Sequence, residues 1–383
     1  MPHIHSVLSD VPEYSITQME YYDYVAPRLR PRLRNILQRI IEGTQIRKRH
    51  FSTSVEHMFA MTEERKIGEK FSIWKETTME FWTKQCKLLI ENSGLSVDEI
   101  DGICTSTTTG FVTPGPTVLL QSKVGLRPDI VHMPIVGFGC SGGQAAIHRV
   151  NEYLTAFPKK AFLVCIGEAV STQYEKADSI SGLVANSIFA DGFATLLMVG
   201  AENKLAKKSQ IELLRCKSIL FPNCDFAVGQ WMSDEGMHNH IDAKLPTHVK
   251  RNIKEPIENL LAEAEQQLSD VDYFICHAGG PKVMETFQEV FELSDNALDI
   301  TMETFRNYGN QSAVSVINAL HRCLNTQSEN GLGFMMALGP GIHMEYCLCK
   351  VTPRPENNVA SQNASNKTED YPRISEIRQV LSA

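Results

Sequence analysis

No stretch of this 383-residue chain approaches the ~18 uninterrupted apolar residues of a membrane-spanning helix, so no membrane insertion is expected. Its first residues, Met1-Pro-His-Ile-His, lack the charged-then-apolar build of an export signal, and a cytoplasmic location is expected. None of the ten cysteines forms a Cys-x-x-Cys pair; without an export signal they read as reduced, mostly buried thiols. His238 and His240 have no second ligand cluster beside them, and Cys347 and Cys349 merely alternate along one apparent strand, so no metal is expected. An excess of basic charge is also missing. Lys and Arg number 37 against 45 Asp and Glu, a net charge of −8, which argues against nucleic acid as the main partner. The exception is local: Arg28, Arg30, Arg32, Arg34, Arg39, Arg47, Lys48 and Arg49 form a basic run near the N-terminus. It reads either as a solvated helix face or as a dock for a phosphate-bearing substrate.

What is present is an ordinary globular balance, 43% hydrophobic and 21% charged. The length suits two domains, or one large duplicated one, at about 100–200 residues per domain. The pivotal stretch runs from Val131 to Val150. An apolar run, Ile135-Val136, ends in Gly137 and Gly139; Cys140 follows, and a small-residue segment then reads as a helix to about Ala156. At such a strand-to-helix turn, free helix N–H groups and the positive dipole end favour a thiolate. Gly139, Gly142 and Gly143 leave room for a substrate carbonyl. Taken alone, the stretch also fits a buried structural cysteine in a tight turn.

The pattern predicts a helix over 71–93 ended by Gly94, a strand over 100–105, and a hydroxyl-rich loop from Thr105 to Pro116. Buried strands are expected at 161–166 and 194–199, and a charged helix at about 256–268. The second half echoes the first. Ser269–His277 resembles Val97–Thr105: a helix end, an acidic turn, a strand, then a polar residue at the strand's C-terminal end. Gly309–Ile317 resembles Gly139–Ile147, with Asn310 where Cys140 sits. Leu332–Leu338 runs into Gly339-Pro340-Gly341 and a further strand over 342–351. Two β/α halves, 1–205 and 206–352, imply a duplicated α/β fold whose equivalent loops meet at one centre. Residues 353–383 read as a flexible polar tail.

Three polar residues thus stand at strand ends or helix starts in Gly-rich surroundings: Cys140, His277 and Asn310. An imidazolium near Cys140 would stabilise its thiolate. His277 and Asn310 could instead act as neutral donors around one carbonyl oxygen, stabilising an enolate or oxyanion without quenching it. Singly, His277 fits a satisfied loop histidine and Asn310 a helix cap. A Cys–His–Asn set also fits a cysteine peptidase, although the duplicated halves and the glycine-lined helix start do not match a peptidase signature.

His-x-Gly-Gly-Pro (His277–Pro281), Asn-Tyr-Gly-Asn-x-Ser (Asn307–Ser312) and Gly-Pro-Gly (Gly339–Gly341) together resemble the motifs of the type III polyketide synthases, the chalcone-synthase-like branch of the thiolase superfamily. The resemblance covers about residues 5–350. It implies a thiolase-like, five-layered αβαβα homodimer built from two duplicated halves, and a reaction on CoA thioesters with no cofactor. Cys140 would take an acyl group from a starter acyl-CoA. His277 and Asn310 would hold the thioester carbonyl of malonyl-CoA during decarboxylation, and the enolate would attack the acyl-Cys140. Repeated rounds would end in a pyrone, resorcinol or phloroglucinol type of product. Phe189 matches a gatekeeper phenylalanine, and Arg39 a basic residue at the CoA tunnel mouth. Thr105, Thr107, Thr109, Gln173 and Asn239, with Leu338, Gly339, Pro340 and Gly341, would shape the cavity.

The chain departs from the plant pattern. Asn239 replaces the second gatekeeper phenylalanine, Gln173 stands at a position often threonine, Ala337-Leu338 precede Gly-Pro-Gly where the family has Gly-Phe, and Ile36 and Gly43 fall where plant members carry lysine. These changes reshape the cavity, so no plant starter is implied. The alternatives are a β-ketoacyl-carrier-protein synthase III-like enzyme making one condensation, and a non-catalytic acyl- or CoA-binding scaffold. An HMG-CoA-synthase-like reaction would need a catalytic glutamate, and nothing in the sequence marks Glu168 as one.

Overall fold

Alternate residues of the central strands face two different cores, and this sets the layering. In Ala161–Glu168, Phe162, Val164 and Ile166 pack into one cluster and Leu163 and Cys165 into another. In Gly331–Gly339, Met335 and Ala337 join the first cluster while Phe334 and Met336 join a third. The side-chain period of two thus makes each sheet face a separate apolar surface, and strands covered on both faces read as continuous apolar runs.

A computed structural model describes residues 1–176, 179–233 and 236–354. The expected tail lies, from residue 355 on, outside the described residues. The main sheet has nine strands: β1 (His3–Asp10), β2 (Gly102–Ser106), β3 (Val131–Ile135), β4 (Ala161–Glu168), β5 (Gly192–Val199), β6 (Ile211–Leu220), β7 (Tyr273–Cys276), β8 (Gly331–Gly339) and β9 (His343–Val351). Their order is β3-β2-β4-β5-β1-β6-β9-β8-β7. Strand β2 is parallel to β4, which is antiparallel to β5, which is antiparallel to β1. On the other side β7 is parallel to β8, which is antiparallel to β9, which is antiparallel to β6. The two halves therefore repeat one connectivity and meet at β1–β6, where His3 pairs Glu212 and Ile4 pairs Ile211.

Four helices complete the frame: α1 (Ile67–Ser93), α2 (Gly142–Ala156), α3 (Lys254–Glu263) and α4 (Ser315–Thr326). Helices α2 and α4 touch each other and strands of both halves, and their apolar faces (Ile147, Val150, Val316, Ile317) fill the shared core. Helix α1 covers the outer face of the first half with Trp74 and Trp82, and α3 covers that of the second with Leu260 and Leu261. The stacking is helix, first half of the sheet, central helices, second half of the sheet, helix, the five-layered αβαβα arrangement that the family resemblance implies. The central layer is tight. A Cβ on Gly143 would lie 2.2 Å from the Ala313 carbonyl oxygen, so α2 and the turn before α4 approach only because residue 143 has no side chain.

Several local expectations shift. The helix expected from residue 71 begins at Ile67, and α3 spans Lys254–Glu263, ahead of the 256–268 window; Glu265 turns left-handed at φ 55° and stops it. Strand β1 had no counterpart in the sequence reading. The basic run is not one patch: Arg34 and Arg39 are exposed on Pro31–Thr44, but Arg49 is buried. Its guanidinium donates to the carbonyls of Asn186 (2.7 Å) and Phe189 (2.9 Å) and to Gln18 Oε1 (3.0 Å), and sits 4.2 Å above the Tyr21 ring. Arg49 is thus a buried brace under the Phe189 segment, not a phosphate dock.

Candidate active site

The Cys140 turn is built by glycines and closed by the other half. After β3 the chain takes φ 84° at Gly137 and φ 50° at Gly139, passes through a short 3₁₀ turn (Gly139–Ser141), and enters α2. A Cβ on Gly139 would strain the left-handed backbone and lie 2.5 Å from the Pro340 ring. Ser141 Oγ donates to the Phe138 carbonyl at 2.9 Å, fixing the turn. Cys140 stays partly accessible at the helix start. Its sulfur lies within hydrogen-bonding reach of Ser312.

Burial pushes the Cys140 thiol up to about 12; the nearby Glu168 carboxylate adds to this, and the Ser312 hydroxyl works against it. Burial alone pushes His277 down to about 4. Burial thus favours the neutral form of both groups, against the expected thiolate–imidazolium pair.

His277 follows β7 directly. Its backbone N–H donates to the Met336 carbonyl at 2.7 Å, and its own carbonyl accepts from Gly279 N–H at 3.1 Å. The ring is 2% exposed and Nδ1 has no protein partner. Asn310 is held by its backbone, whose N–H donates to the Ile188 carbonyl at 2.8 Å and whose carbonyl accepts from Ala190 at 2.9 Å. Its Oδ1 accepts from Ser312 N–H at 2.9 Å, which turns the NH2 group toward the His277 loop; Nδ2 donates to the Gly279 carbonyl at 3.4 Å. Ser312 itself is left-handed at φ 51°, an uncommon conformation for a residue with a side chain. The three residues are thus linked in series: His277 to Asn310 through Gly279, and Asn310 to Cys140 through Ser312.

Glu168, which the sequence reading left unassigned, is a further candidate. It ends β4, is fully buried, and accepts from Thr108 N–H (3.0 Å), Thr108 Oγ1 (3.0 Å) and Ser312 Oγ (3.4 Å). Burial pushes it up to about 7 while the Thr108, Thr109 and Ser312 contacts work against that rise. A carboxyl near 7 within reach of the Cys140 surroundings suits general acid–base chemistry. Polarity alone, a glutamate closing an apolar strand, was the available signal.

The cavity residues separate into groups. Phe189, Gln173 and Asn239 line one small cavity together with Val170, Tyr174 and Met58. Gln173 Nε2 donates to the Thr109 carbonyl at 2.5 Å, which joins Thr109 to that wall. Thr107 contacts Thr109 at 3.3 Å, and Thr105 is buried within β2; neither lines this cavity. Asn239 Oδ1 accepts from Gln230 at 2.7 Å. Leu338 and Gly339 end β8, and Pro340 and Gly341 continue into the next turn, with Gly341 at φ 69°. A Cβ on Gly339 would lie 2.3 Å from Ser141 Oγ, so this loop backs the Cys140 turn. Arg39 lies exposed on Pro31–Thr44.

Residues 26–218 match the family described as FAE1/type III polyketide synthase-like protein, and residues 212–353 match the C-terminal domain of chalcone and stilbene synthases. A 1,3,6,8-tetrahydroxynaphthalene synthase of Streptomyces peucetius is 26% identical over 83% of this chain and 84% of its own. A phloroglucinol synthase of Pseudomonas fluorescens is 23% identical over 87% of this chain and 95% of its own. The crystal structure of the 1,3,6,8-tetrahydroxynaphthalene synthase of Streptomyces coelicolor superposes with a TM-score of 0.85 at 25% identity, covering 92% of this chain and 100% of that one.

Proposed function

The chain belongs to the type III polyketide synthase family, and on that premise we propose that it extends an acyl-CoA starter by iterative decarboxylative condensation with malonyl-CoA, using Cys140, His277 and Asn310. Enzymes of this family act on CoA thioesters without a cofactor. The observation that carries the assignment of residues is the serial linkage of the three loops through Gly279 and Ser312. The first half, 1–205, supplies the nucleophile, and the second, 206–352, supplies the carbonyl-binding pair.

In this reading the Cys140 sulfur attacks the starter thioester as its proton passes to His277, and CoA leaves as the thiol with that proton. Malonyl-CoA then binds with its thioester oxygen facing the His277 N–H and the Asn310 NH2. Loss of CO2 leaves an enolate held by these two neutral donors. A neutral imidazole is a weak acid, so it stabilises the enolate without protonating it. The enolate carbon attacks the acyl-Cys140 carbonyl, the Cys140 sulfur leaves, and the β-ketoacyl-CoA so formed transfers back to Cys140 for the next round. The relatives named above carry the names of polyhydroxylated aromatic rings, and we assign this chain a product of the pyrone, resorcinol or phloroglucinol type. Phe189, Gln173 and Asn239 set the chain length that the cavity accepts, Arg39 takes CoA phosphate, and the enzyme works as a cytoplasmic homodimer.

Mass spectrometry of reactions with malonyl-CoA and a panel of acyl-CoA starters tests this, with Cys140→Ala alongside. Products containing two or more malonate-derived units, absent with the variant and formed without a carrier protein, are expected. A single condensation, or a need for a carrier protein, would overturn the iterative reading.

A further inference from the structure

Behind the Cys140 turn lies a second cluster of donor atoms that the proposed reaction does not use. His148 on α2, Cys216 on β6 and Cys347 on β9 each offer one ligand atom, and the three atoms all lie within 4.8 Å of one another. Cys216 and Cys347 are direct partners across the antiparallel β6–β9 pair. His148 and Cys347 are buried, while Cys216 is partly accessible and gives the cluster a path to solvent. The sequence reading weighed Cys347 only with Cys349, and His238 only with His240, and so expects no metal.

The hydrogen bonds orient the cluster as a cation site would. His148 Nδ1 pairs with the buried Glu345 carboxylate, so with its proton on Nδ1 the neutral ring presents the Nε2 lone pair. Gln144, one turn earlier on α2, places its Nε2 3.0 Å from His148 Nε2 and 3.1 Å from Cys347 Sγ. Two acceptor lone pairs therefore converge on one point, now filled by an amide N–H carrying partial positive charge. Gln144 Oε1 is buried with no protein partner. Rotating that amide would replace the N–H with an oxygen ligand. A carboxylate on the far nitrogen of a ligating histidine is the usual outer support of a zinc site, and two thiolates with one neutral imidazole neutralise a divalent charge.

We propose that His148, Cys216 and Cys347 bind a structural zinc ion, with the Gln144 side chain as the fourth donor. Sulfur and imidazole donors select zinc over calcium or magnesium. The ion ties α2, whose start carries Cys140, to β6 and β9 of the other half. Its donors lie on α2, β6 and β9, whereas His277 follows β7 and Asn310 precedes α4, so the ion is given no part in the condensation and is independent of the substrate assignment.

The test is metal analysis of the full-length, tag-free protein purified from zinc-supplemented cells, followed by cobalt titration of the chelator-treated protein. About one zinc per chain and a thiolate-to-cobalt charge-transfer band are expected. Both should be lost in Cys347→Ser and weakened in Cys216→Ser, and both should survive in Cys224→Ser. A wild-type protein that holds no zinc and gives no thiolate–cobalt band overturns the proposal. So does a band that survives in both Cys216→Ser and Cys347→Ser. Should Cys347→Ser fail to fold, the partly accessible Cys216→Ser and the wild-type cobalt titration still decide.

Discussion

The hydroxyl of Ser312 stands between the Cys140 thiol and the Glu168 carboxyl, which it reaches at 3.4 Å. One residue, held left-handed, thereby couples the nucleophile to a buried acid pushed up to about 7. Below that pH the protonated form of Glu168 prevails, and above it the carboxylate can accept a proton from water that releases the finished chain from Cys140. Glu168→Gln keeps the size and the Thr108 contacts but removes the titration. The expected result is a turnover lower by about 10²-fold, acyl-Cys140 accumulating in intact-mass spectra, and loss of the pH limb near 7. An unchanged pH profile would remove Glu168 from the reaction. His277, at about 4, should contribute no limb near its ordinary value.

The difference between what could and could not be read from the sequence lies in how local each signal is. Cys140 and His277 each follow a strand at a glycine-rich turn, and Asn310 follows Gly309 between the helix Asp299–Tyr308 and α4, so the local pattern marked all three. Glu168 carries no such mark: it ends an uninterrupted apolar strand, and its meaning comes from Thr108 and Ser312, which only the fold brings near. Arg49 misled for the same reason. Its neighbours in sequence are basic, but its neighbours in space are the Tyr21 ring and two backbone carbonyls. Strand β1 was missed because its His- and Ser-rich sequence buries only part of its length, although it lies between β5 and β6. The upward shift at Cys140 is likewise a tertiary effect, since helix-start geometry is local while burial, its largest cause, comes from the fold.

Asn310 should act in decarboxylation and not in loading. In Asn310→Asp one carboxylate oxygen can still accept from Ser312 N–H, but the donor facing the His277 loop becomes an acceptor beside the Gly279 carbonyl. The enolate then loses one stabilising donor and meets a negative charge. Malonyl-CoA decarboxylation is expected to fall by about 10²–10³-fold, while starter loading on Cys140, read by intact mass, persists. Equal loss of both steps would make Asn310 a structural residue only.

The contact between α2 and the turn before α4 predicts a stability effect. In Gly143→Ala the new methyl would sit 2.2 Å from the Ala313 carbonyl oxygen, and backbone must move to admit it. Overpacking of this kind costs about 1–3 kcal/mol. Thermal denaturation should show a lower Tm, whereas Gly115→Ala, at φ −65° with nothing within 4 Å, should leave it nearly unchanged. Equal melting of both variants would mean that the central helices are not packed this closely.

The burial that pushes the Cys140 thiol up makes a prediction opposite in sign to that of an ion pair. A thiolate held by an imidazolium would react with iodoacetamide at a rate independent of pH well below the ~8.5 of a free thiol. A thiol pushed up to about 12 by burial exposes only a small thiolate fraction, which grows with each unit of pH. Alkylation of Cys140, followed by peptide mass spectrometry, should therefore be slow at pH 6 and still rising at pH 9. Ser312→Ala removes the hydroxyl that works against the upward shift, so the same curve should move to higher pH in that variant. A rate that plateaus below pH 8 in the wild type would show that Cys140 is ionised at rest, and the proton transfer assigned to His277 during loading would then be unnecessary.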